Sequence, residues 1–407
     1  MNRKSLYVHV PFCRGRCDYC DFFSTDCGGT VPDEYVQALL EEAAFYVRLY
    51  AVSAFRTVYL GGGTPSLLSP AQLTRLLEGL WRLCPAAPRP EEVTVEMNPE
   101  SASREKLLAA QDSGATRLSL GVQSLSETAL RAVHRRCTAA QAESVLAMVQ
   151  QLWHGDVNLD AIAGLPGQDE EEFLASLRKI CSCKPQHVSL YTLTLEEGTP
   201  LARRVAAGEV WDGDAADAQW LSGRAVLESL GLQQYEVSNF ARAGHESRHN
   251  MVYWTQQDYI GIGAGAAGSV YDFSGAEPGI RWTNTCSVQD YCRWWNAPGA
   301  AGMGLREPLS VPRTVEELPL ATEEFEFLMM GLRTLSGVSD REYRARFSAV
   351  EPWKGDLSLR LGLHGGLWEQ GIVRGDCLCR RESDGSVRYA ATKQGILFLN
   401  SMLRYLT

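Results

Sequence analysis

The stretch YVHVPFCRGRCDYCDF, residues 7–22, places three cysteines within eight residues, directly after a strand-like run. These thiols are Cys13, Cys17 and Cys20, in the spacing C-x3-C-x2-C. Cysteine thiolates are the usual protein ligands of iron–sulfur clusters. Three ligands on a four-iron cube leave one iron open to a small-molecule chelate, whereas a fourth cysteine would close it. The stretch therefore predicts a [4Fe–4S] cluster with one open iron.

A structural zinc site is the alternative interpretation of these thiols. Structural zinc takes four ligands, so Cys27 or His9 would have to supply the fourth. The spacing of the three cysteines differs from that of the usual zinc-binding pairs, which favours the cluster. We expect the other nine cysteines to pack mostly as small apolar residues.

Composition narrows the class of protein. The chain has 407 residues, a net charge of −10 and a pI near 5.3. An acidic chain suits nucleic acid poorly, because that binding depends on neutralising phosphates. No apolar run is long enough to cross a bilayer, and the N-terminal residues lack a signal-peptide pattern. We expect a cytoplasmic protein with reduced thiols and no nucleic-acid partner, with peripheral membrane contact left open.

Strand-like and helix-like segments alternate through the first half of the chain. Helix-start signals stand at Ser69-Pro70, at Ser103 and at Thr138, the first with proline at the first helical position. Because eight βα units close a TIM barrel, six units predict a partial (β/α)6 TIM-like barrel over residues 1–240. The predicted strands are Leu6–Val10, Thr57–Leu60, Val93–Glu96, Leu118–Val122, Leu159–Ala163 and Val188–Leu193.

The second half is organised differently. Residues 241–319 form a separate segment, whose Pro- and Gly-rich end, from about Asn296 to Pro319, predicts a linker. Residues 320–407 predict a winged-helix-like α+β domain, in which Lys and Arg barely outnumber Asp and Glu. Without a basic stripe, a structural or docking role is favoured over DNA binding. The predicted elements are helices Thr322–Leu335, Ser339–Phe347 and Leu357–Gln370, a hairpin of Cys377–Arg381 with Val387–Ala391, and a helix Thr392–Leu406.

Polar and glycine residues stand at the ends of the predicted parallel strands. A Gly61-Gly62-Gly63 run follows the second strand, Glu96 ends the third, Gln123 ends the fourth, and Asp160 lies in the fifth. In parallel α/β sheets, ligands bind at the carboxyl ends of the strands. We therefore predict that these residues share a ligand-binding mouth. Glu96 has the alternative role of a helix cap or a surface ion pair.

These motifs together resemble the coproporphyrinogen III oxidase-like branch of the radical S-adenosylmethionine superfamily, and within it the HemW-type haem chaperones. The resemblance runs from Tyr7 to the last helix. It implies that the open iron takes S-adenosylmethionine. Porphyrinogen-decarboxylating relatives carry a further cysteine where this chain has Phe22. The positions that match cofactor contacts are Tyr7, Tyr19, Gly62, Gly63, Thr64, Glu96, Gln123, Arg135 and Asp160, with Thr194 and Ala267 contributing through the backbone.

Two of these matches carry alternatives or departures. Arg135 could pair the cofactor carboxylate, or belong to a solvated helix face with Arg131 and Arg136. Cys137 and Ala267 stand where relatives usually have histidine. These departures leave the cluster ligands untouched.

The string His249-Asn250-Met251-Val252-Tyr253-Trp254 resembles a haem-binding signature of the chaperone branch. Imidazole is a standard axial haem ligand, and aromatic rings can wall a porphyrin. We predict haem contacts from His249, Asn250, Tyr253 and Trp254. The alternative is that His249 is a hydrogen-bonded residue that anchors a loop under Tyr253 and Trp254.

The resemblance implies a haem chaperone that binds a [4Fe–4S] cluster, S-adenosylmethionine and haem and delivers haem to client haemoproteins. Reduced flavodoxin or ferredoxin would be its electron donor. A second hypothesis is oxygen-independent coproporphyrinogen III dehydrogenase activity, or another radical modification of a tetrapyrrole, against which Phe22 weighs. A third is a zinc-stabilised adaptor without redox chemistry.

Overall fold

The computed structural model describes residues 2–26, 28–274, 276–297, 313–350, 353–362 and 367–404. Six parallel strands follow one another in both sequence and space, as the alternating pattern predicts. They are β1 (Arg3–Val10), β2 (Ala54–Gly62), β3 (Glu92–Met97), β4 (Arg117–Gln123), β5 (Asp156–Ala163) and β6 (His187–Thr192). The predicted partial barrel is confirmed.

Helices cover the outer face of these strands. Ser69 and Thr138 each form a reciprocal capping box with the glutamine three residues on, and Ser103 accepts a hydrogen bond from the Lys106 amide. The predicted helix starts are therefore confirmed. The helices are α1 (Asp33–Leu49), α2 (Pro70–Leu83), α3 (Arg104–Asp112), α4 (Glu127–Ala132), α5 (Ala139–Leu152), α6 (Glu170–Cys181), α7 (Pro200–Ala206) and α8 (Gly213–Ser229), with a 3-10 turn at Pro65–Leu67.

The sheet continues at both ends through residues that the sequence did not predict as strands. On the β1 side, one added strand is parallel to β1 and the next three are antiparallel. They are β9 (Tyr259–Ile262), β10 (Ala267–Val270), β11 (Gly279–Asn284) and β12 (Arg313–Leu318). Beyond β6 lie the short antiparallel strands β7 (Gln233–Gln234) and β8 (Asn239–Ala241). These strands cover the free edges of the parallel sheet.

The predicted linker from Asn296 to Pro319 needs a correction. Its last part, Arg313–Leu318, is an edge strand that pairs with β11 along its full length. Four of its six residues are exposed, so the segment lacks the run of apolar residues that would have predicted a strand. Residues 298–312, with most of the predicted prolines and glycines, lie outside the described residues. The wider segment of residues 241–319 also contains the helices α9 (Arg248–Trp254) and α10 (Val288–Trp295), both ahead of the predicted linker.

The C-terminal part has its own core around a small sheet. The predicted hairpin is found at its predicted bounds as β14 (Cys377–Arg381) and β15 (Val387–Ala391), joined by β13 (Val338–Ser339). The predicted helix from Leu357 is shorter, and residues 363–366 lie outside the described residues. The helices are α11 (Leu320–Gly331), α12 (Asp340–Phe347), α13 (Leu357–Arg360), α14 (Leu367–Arg374) and α15 (Leu399–Leu403), the last preceded by a 3-10 turn at Gly395–Phe398.

Strand alternation decides what faces the lumen. Leu6, Val8 and Val10 of β1 are fully buried in the main core. Because successive strand residues point to opposite faces, Tyr7 and His9 point the other way, into the barrel. The same alternation recurs in the neighbouring strands, so the barrel interior receives polar and aromatic side chains. This arrangement builds the candidate site.

Candidate functional site

A cavity of about 350 Å³ occupies the barrel interior and opens at the carboxyl ends of the parallel strands. It reaches from the cysteine loop down to Ser247 and Asn250 at the opposite end. Twelve of the predicted site residues line it: Cys13, Cys17, Tyr19, Cys20, Gly62, Gly63, Glu96, Gln123, Arg135, Asp160, Thr194 and Asn250. The structure thus brings together residues that are far apart in sequence.

The cysteine loop is held in shape by backbone hydrogen bonds. The Cys13 amide donates to the Thr25 carbonyl at 3.0 Å, and the Cys20 amide donates to the Cys17 carbonyl at 3.0 Å. Between them, the Asp18 amide donates to the Val133 carbonyl at 3.0 Å. These contacts turn all three thiols toward the cavity.

Ionic contacts fix the same loop from outside. The buried Asp18 carboxylate pairs with Arg204 and with His134 Nδ1, the latter at 2.7 Å. Arg204 in turn reaches the Glu209 carboxylate at 2.7 Å. The loop is therefore tied to α4 and α7.

The donor set fits a cube better than a single ion. The three cysteines are free thiols that share one cavity wall. Yet no three His, Cys, Asp or Glu side chains of the described residues converge closely enough to hold one metal ion. A cube presents a separate iron to each thiolate, so its ligands stand farther apart than those of tetrahedral zinc. Cys27, one predicted zinc ligand, lies outside the described residues, and Phe22 is 66% exposed beside the loop.

The glycine run supplies a close approach of backbone to side chains. Gly62 has φ +116°, and a Cβ there would lie 2.7 Å from the His9 ring. Its amide donates to Glu96 Oε2 at 3.2 Å. Only glycine fits this turn without strain. The turn leaves the backbone of Gly62 and Gly63 on the cavity wall.

Glu96 is the best-defined carboxylate of the lumen. Tyr59 Oη donates to its Oε1 at 2.6 Å. Burial, together with the nearby Asp160 carboxylate, raises the pKa of Glu96 to about 7, although the Tyr59 and Gly62 hydrogen bonds oppose the rise. Burial also raises the pKa of Asp160, whose Oδ1 accepts a hydrogen bond from Asn158 Nδ2 at 2.8 Å. The alternative role of Glu96 in a helix cap or surface pair is absent here.

Among the residues predicted as cofactor contacts, two polar groups lack partners within the described residues. Gln123 adopts φ +68°, a left-handed conformation rare outside glycine, and its buried Oε1 accepts no hydrogen bond. Arg135 Nε is likewise buried and unpaired. Backbone strain and orphaned polar atoms commonly mark ligand sites. Both groups fit a polar cofactor that completes their hydrogen bonds.

Arg135 lies in the site rather than on a solvated helix face. Its Nη1 is 3.6 Å from Cys17 Sγ and 3.4 Å from Tyr19 Oη, and its Nη2 donates to the Gly121 carbonyl. By contrast, Arg131 and Arg136 are exposed. Arg135 therefore connects the cysteine loop to the end of β4.

Three of the predicted S-adenosylmethionine contacts stand outside the cavity lining, as do His249, Tyr253 and Trp254 of the predicted haem contacts. Tyr7 Oη bonds His9 Nδ1 at 2.8 Å, and the Tyr7 ring lies 6.2 Å from that of Tyr59. Thr64 Oγ1 accepts a hydrogen bond from Asn98 Nδ2 at 3.2 Å. Ala267 begins β10, where it pairs with Thr283. Tyr7 and Thr64 therefore contact residues of the lining, Tyr59 and Asn98, whereas Ala267 lies in the added strand β10.

The His249–Trp254 string forms α9, at the end of the barrel opposite the cysteine loop. His249 is 1% exposed, and its two ring nitrogens contact Thr57 Oγ1 and Tyr253 Oη, both at 2.8 Å. Burial lowers the pKa of His249 to about 3. An axial haem ligand needs a free nitrogen facing the iron, which this conformation does not offer. The arrangement is the one that the loop-anchor interpretation describes.

The other half of the lumen was missed by sequence reasoning. Thr94, Arg117, Ser119, Asn158, His187, Ser189 and Tyr191 line it as well. These residues alternate with core residues along β3 to β6, as in Thr94-Val95-Glu96. The sequence carries these lumen residues as an alternation of polar and apolar residues with a period of two. The strand predictions used only the apolar residues of that alternation, so the polar residues between them were not assigned to the lumen.

Comparisons with known proteins agree with this geometry. The model of the Radical SAM superfamily matches residues 7–180. The mitochondrial radical S-adenosyl methionine domain-containing protein 1 of Bos taurus is 38% identical over 346 residues, covering 84% of this chain and 76% of that protein. The heme chaperone HemW of Lactococcus lactis is 34% identical over 347 residues, covering 84% and 85%. That of Escherichia coli is 39% identical over 267 residues, covering 65% and 70%.

Among solved structures, coproporphyrinogen III oxidase (HemN) from Escherichia coli, a radical SAM enzyme, matches with a TM-score of 0.73. The match covers 100% of this chain and 90% of that one at 20% identity, which establishes a shared fold. No helix of the described residues is long and apolar enough to span a membrane. The cofactors of this chain are a [4Fe–4S] cluster and S-adenosylmethionine, and the chain belongs to the radical SAM superfamily, in the family that includes the HemW haem chaperones.

Proposed function

We propose that this protein is a haem chaperone that binds haem and delivers it to client haemoproteins. The observation that carries the proposal is its 34% identity to a heme chaperone HemW over 84% of the chain. Phe22 adds to it, because the cysteine loop ends without the further cysteine that the porphyrinogen-decarboxylating resemblance requires.

Different residues of the lumen would contact different parts of the two cofactors. Cys13, Cys17 and Cys20 would hold the cluster, and Glu96 and Gln123, which line the same cavity, would contact S-adenosylmethionine. Glu96, when ionised, would accept hydrogen bonds from a cationic amino group or a ribose. Arg135 Nε would donate to a carboxylate. When bound there, the cluster would supply single electrons to S-adenosylmethionine.

Haem contacts of the His249–Trp254 string remain part of the proposal, with one condition. For His249 to ligate iron, its ring must leave Thr57 or Tyr253 and become exposed. Asn250 already lines the lumen, and Trp254 hydrogen-bonds to the Glu236 carboxylate. A haem site here would thus require α9 to open.

We also propose an electron donor and a compartment, on the grounds of surface charge and of the state of the cysteines. Arg14, Arg16 and Arg136 are exposed around the cysteine loop of a chain with net charge −10. An acidic reduced flavodoxin or ferredoxin would suit this surface as the electron donor. We propose the cytosol as the compartment, because the described cysteines are free thiols.

Haem titration of anaerobically reconstituted protein tests the proposal. We expect a saturable Soret shift for the wild type and for His154→Ala, a control at an exposed histidine. A bound haem that then moves to an apo-haemoprotein would support the carrier role. Absence of specific haem binding, in protein that still binds S-adenosylmethionine, would refute it. Decarboxylation of coproporphyrinogen III would instead establish the enzymatic alternative.

A further inference from the structure

A block of three rings lies directly beneath Glu96. The His249 imidazole stacks on the Tyr59 ring, with centroids 5.1 Å apart and an interplanar angle of 29°. Tyr253 meets His249 edge-on at 5.1 Å. The Tyr59 hydroxyl donates a hydrogen bond to Glu96 Oε1 at 2.6 Å, so the contacts extend from the three rings to Glu96. A continuous path of contacts therefore links the His249–Trp254 string to Glu96 on the cavity wall.

The lower end of this path is held rigidly. The Glu92 carboxylate accepts hydrogen bonds from the His249 amide at 2.9 Å and from the Arg248 amide at 3.1 Å. Arg117 Nε pairs with the same carboxylate at 2.9 Å, and both side chains are about 5% exposed or less. Because both ring nitrogens of His249 are also bonded, the imidazole has one orientation in which every polar group is satisfied.

We propose that His249 is a positioning residue for the S-adenosylmethionine site, acting through Tyr59 on Glu96. The inference rests on the proposed contact between Glu96 and S-adenosylmethionine. It assigns a role to His249 that does not require the imidazole to meet haem. A loss of haem binding in a His249 variant would then be insufficient to identify an axial ligand.

The physical chain of effects is short. Removing the imidazole leaves a void beside Tyr59, and an aromatic ring next to a void loses its fixed orientation. When the Tyr59 hydroxyl turns away, Glu96 loses a donor that stabilises its ionised form. The carboxylate then takes up a proton more readily and loses its charge-assisted bond to the cofactor.

Several titratable groups face Glu96 and could influence its protonation. Those on neighbouring elements are Tyr7, Tyr59, Asp160, Tyr191 and Tyr253. The tyrosines are neutral at working pH, since burial raises the pKa of each. Asp160 is unchanged in all variants below, so its effect on Glu96 cancels in the comparison.

The test measures the dissociation constant of S-adenosylmethionine by equilibrium dialysis, using anaerobically reconstituted protein from pH 6 to pH 9. The variants are His249→Ala, His249→Gln, Tyr59→Phe and their double His249→Ala/Tyr59→Phe, with His154→Ala as the matched control. We expect His249→Ala and Tyr59→Phe each to weaken binding at pH 7 by roughly ten-fold, the scale of one charge-assisted hydrogen bond. The midpoint of the pH profile should move upward in both.

Two further comparisons distinguish one shared path of contacts from two independent effects. The double variant should be no weaker than the single variants, because both changes interrupt one path. His249→Gln, whose amide can bond Thr57 and Tyr253, should recover most of the affinity. The S-adenosylmethionine-induced change in the electron paramagnetic resonance spectrum of the reduced cluster should follow the same order.

If His249→Ala matches His154→Ala in affinity and pH profile, the positioning role is overturned, whatever happens to haem. Tyr59→Phe keeps the test valid if His249→Ala fails to fold, since it removes one hydroxyl from the same path. A wild type that binds S-adenosylmethionine in a His249-dependent way but binds no haem would refute the chaperone proposal alone. A wild type that binds haem but no S-adenosylmethionine would overturn the positioning role alone.

Discussion

Single residues of the lumen carry much of the chemistry, and Glu96 is the clearest case. Its side chain is bonded by Tyr59 and Gly62, and its pKa is raised to about 7 by burial and by Asp160. Sequence reasoning identified Glu96, Gln123 and Asp160 from their places at or near the strand ends. It could not identify Tyr59, because an aromatic residue in a strand is typical of the core.

The raised pKa of Glu96 predicts a pH dependence for cofactor binding. Below pH 7 the carboxyl is protonated and cannot offer a charged acceptor. We expect the dissociation constant of S-adenosylmethionine to rise as pH falls from 8 to 6, approaching ten-fold per unit below the pKa. Equilibrium dialysis across this range checks it. A flat profile would contradict a charged contact from Glu96.

The same shift predicts a stability effect of opposite sign. The folded pKa of about 7 lies above the ordinary value of 4.5, so the folded state holds its proton more tightly than the unfolded state. The free energy of unfolding therefore loses this contribution as pH rises from 4.5 to 7. We expect Glu96→Gln to be at least as stable as the wild type at pH 8, by urea unfolding without cofactor, while binding S-adenosylmethionine weakly. Loss of stability at pH 8 would count against this reasoning.

Gln123 offers a prediction based on backbone conformation. Its φ of +68° favours glycine over alanine. We expect Gln123→Gly to be more stable than Gln123→Ala by about 0.5–1 kcal/mol in urea unfolding. Both variants should weaken S-adenosylmethionine binding, since both lack Oε1. Equal stability of the two variants would show that the conformation relaxes without cost.

At the scale of elements, α9 closes the lower end of the barrel through one buried ion pair. Arg117 pairs with Glu92 at 2.9 Å and also bonds the His245 carbonyl at 2.8 Å. Removing one partner of a buried pair leaves the other charge without compensation. The segment from Gly244 to Trp254 depends on this pair for its place.

We therefore expect Arg117→Ala to lower the free energy of unfolding by about 3–5 kcal/mol. The control Arg82→Ala removes an exposed pair with Glu78 and should cost less than about 1 kcal/mol. Urea unfolding compares them, and hydrogen exchange should show faster exchange in α9 of Arg117→Ala. Similar losses of unfolding free energy in both variants would show that the Arg117–Glu92 pair does not hold α9 in place.

Elements were predictable from sequence where their signals are local. The six parallel strands and the capped helices have periodicity and caps that act within a few residues. Strands β9 to β12 depend on pairing with distant residues, and glycine residues around Gly263 and Gly265 resemble a loop. The edge strand Arg313–Leu318 has four exposed residues and no apolar face, so its pairing with β11 could not be inferred.

At the scale of the whole molecule, the charges beside the cysteine loop bear on partner binding, and they include exposed Asp21 and Asp26 as well as arginines. The chain carries a net charge of −10, yet Arg14, Arg16 and Arg136 stand exposed around the cysteine loop. Exposed arginines at this loop would steer an acidic electron donor toward the cluster, with less effect at high salt. This arrangement bears on how the cluster is reduced.

We expect Arg14→Glu/Arg16→Glu to slow cluster reduction by flavodoxin by roughly ten-fold at low ionic strength. Reduction by dithionite should be unchanged, and Arg82→Glu, far from the loop in sequence, should behave as wild type. Stopped-flow absorbance at two salt concentrations measures these rates. An unchanged flavodoxin rate would place the donor elsewhere on the surface.

Transfer of haem tests the central claim most directly. Wild-type protein would be reconstituted anaerobically, loaded with one equivalent of haem, separated from free haem and mixed with an apo-haemoprotein, and the Soret bands would be followed. We expect haem to bind specifically and then to move to the acceptor faster than free haem does in control mixtures. Protein that retains its cluster and S-adenosylmethionine but neither binds nor transfers haem would contradict the chaperone function.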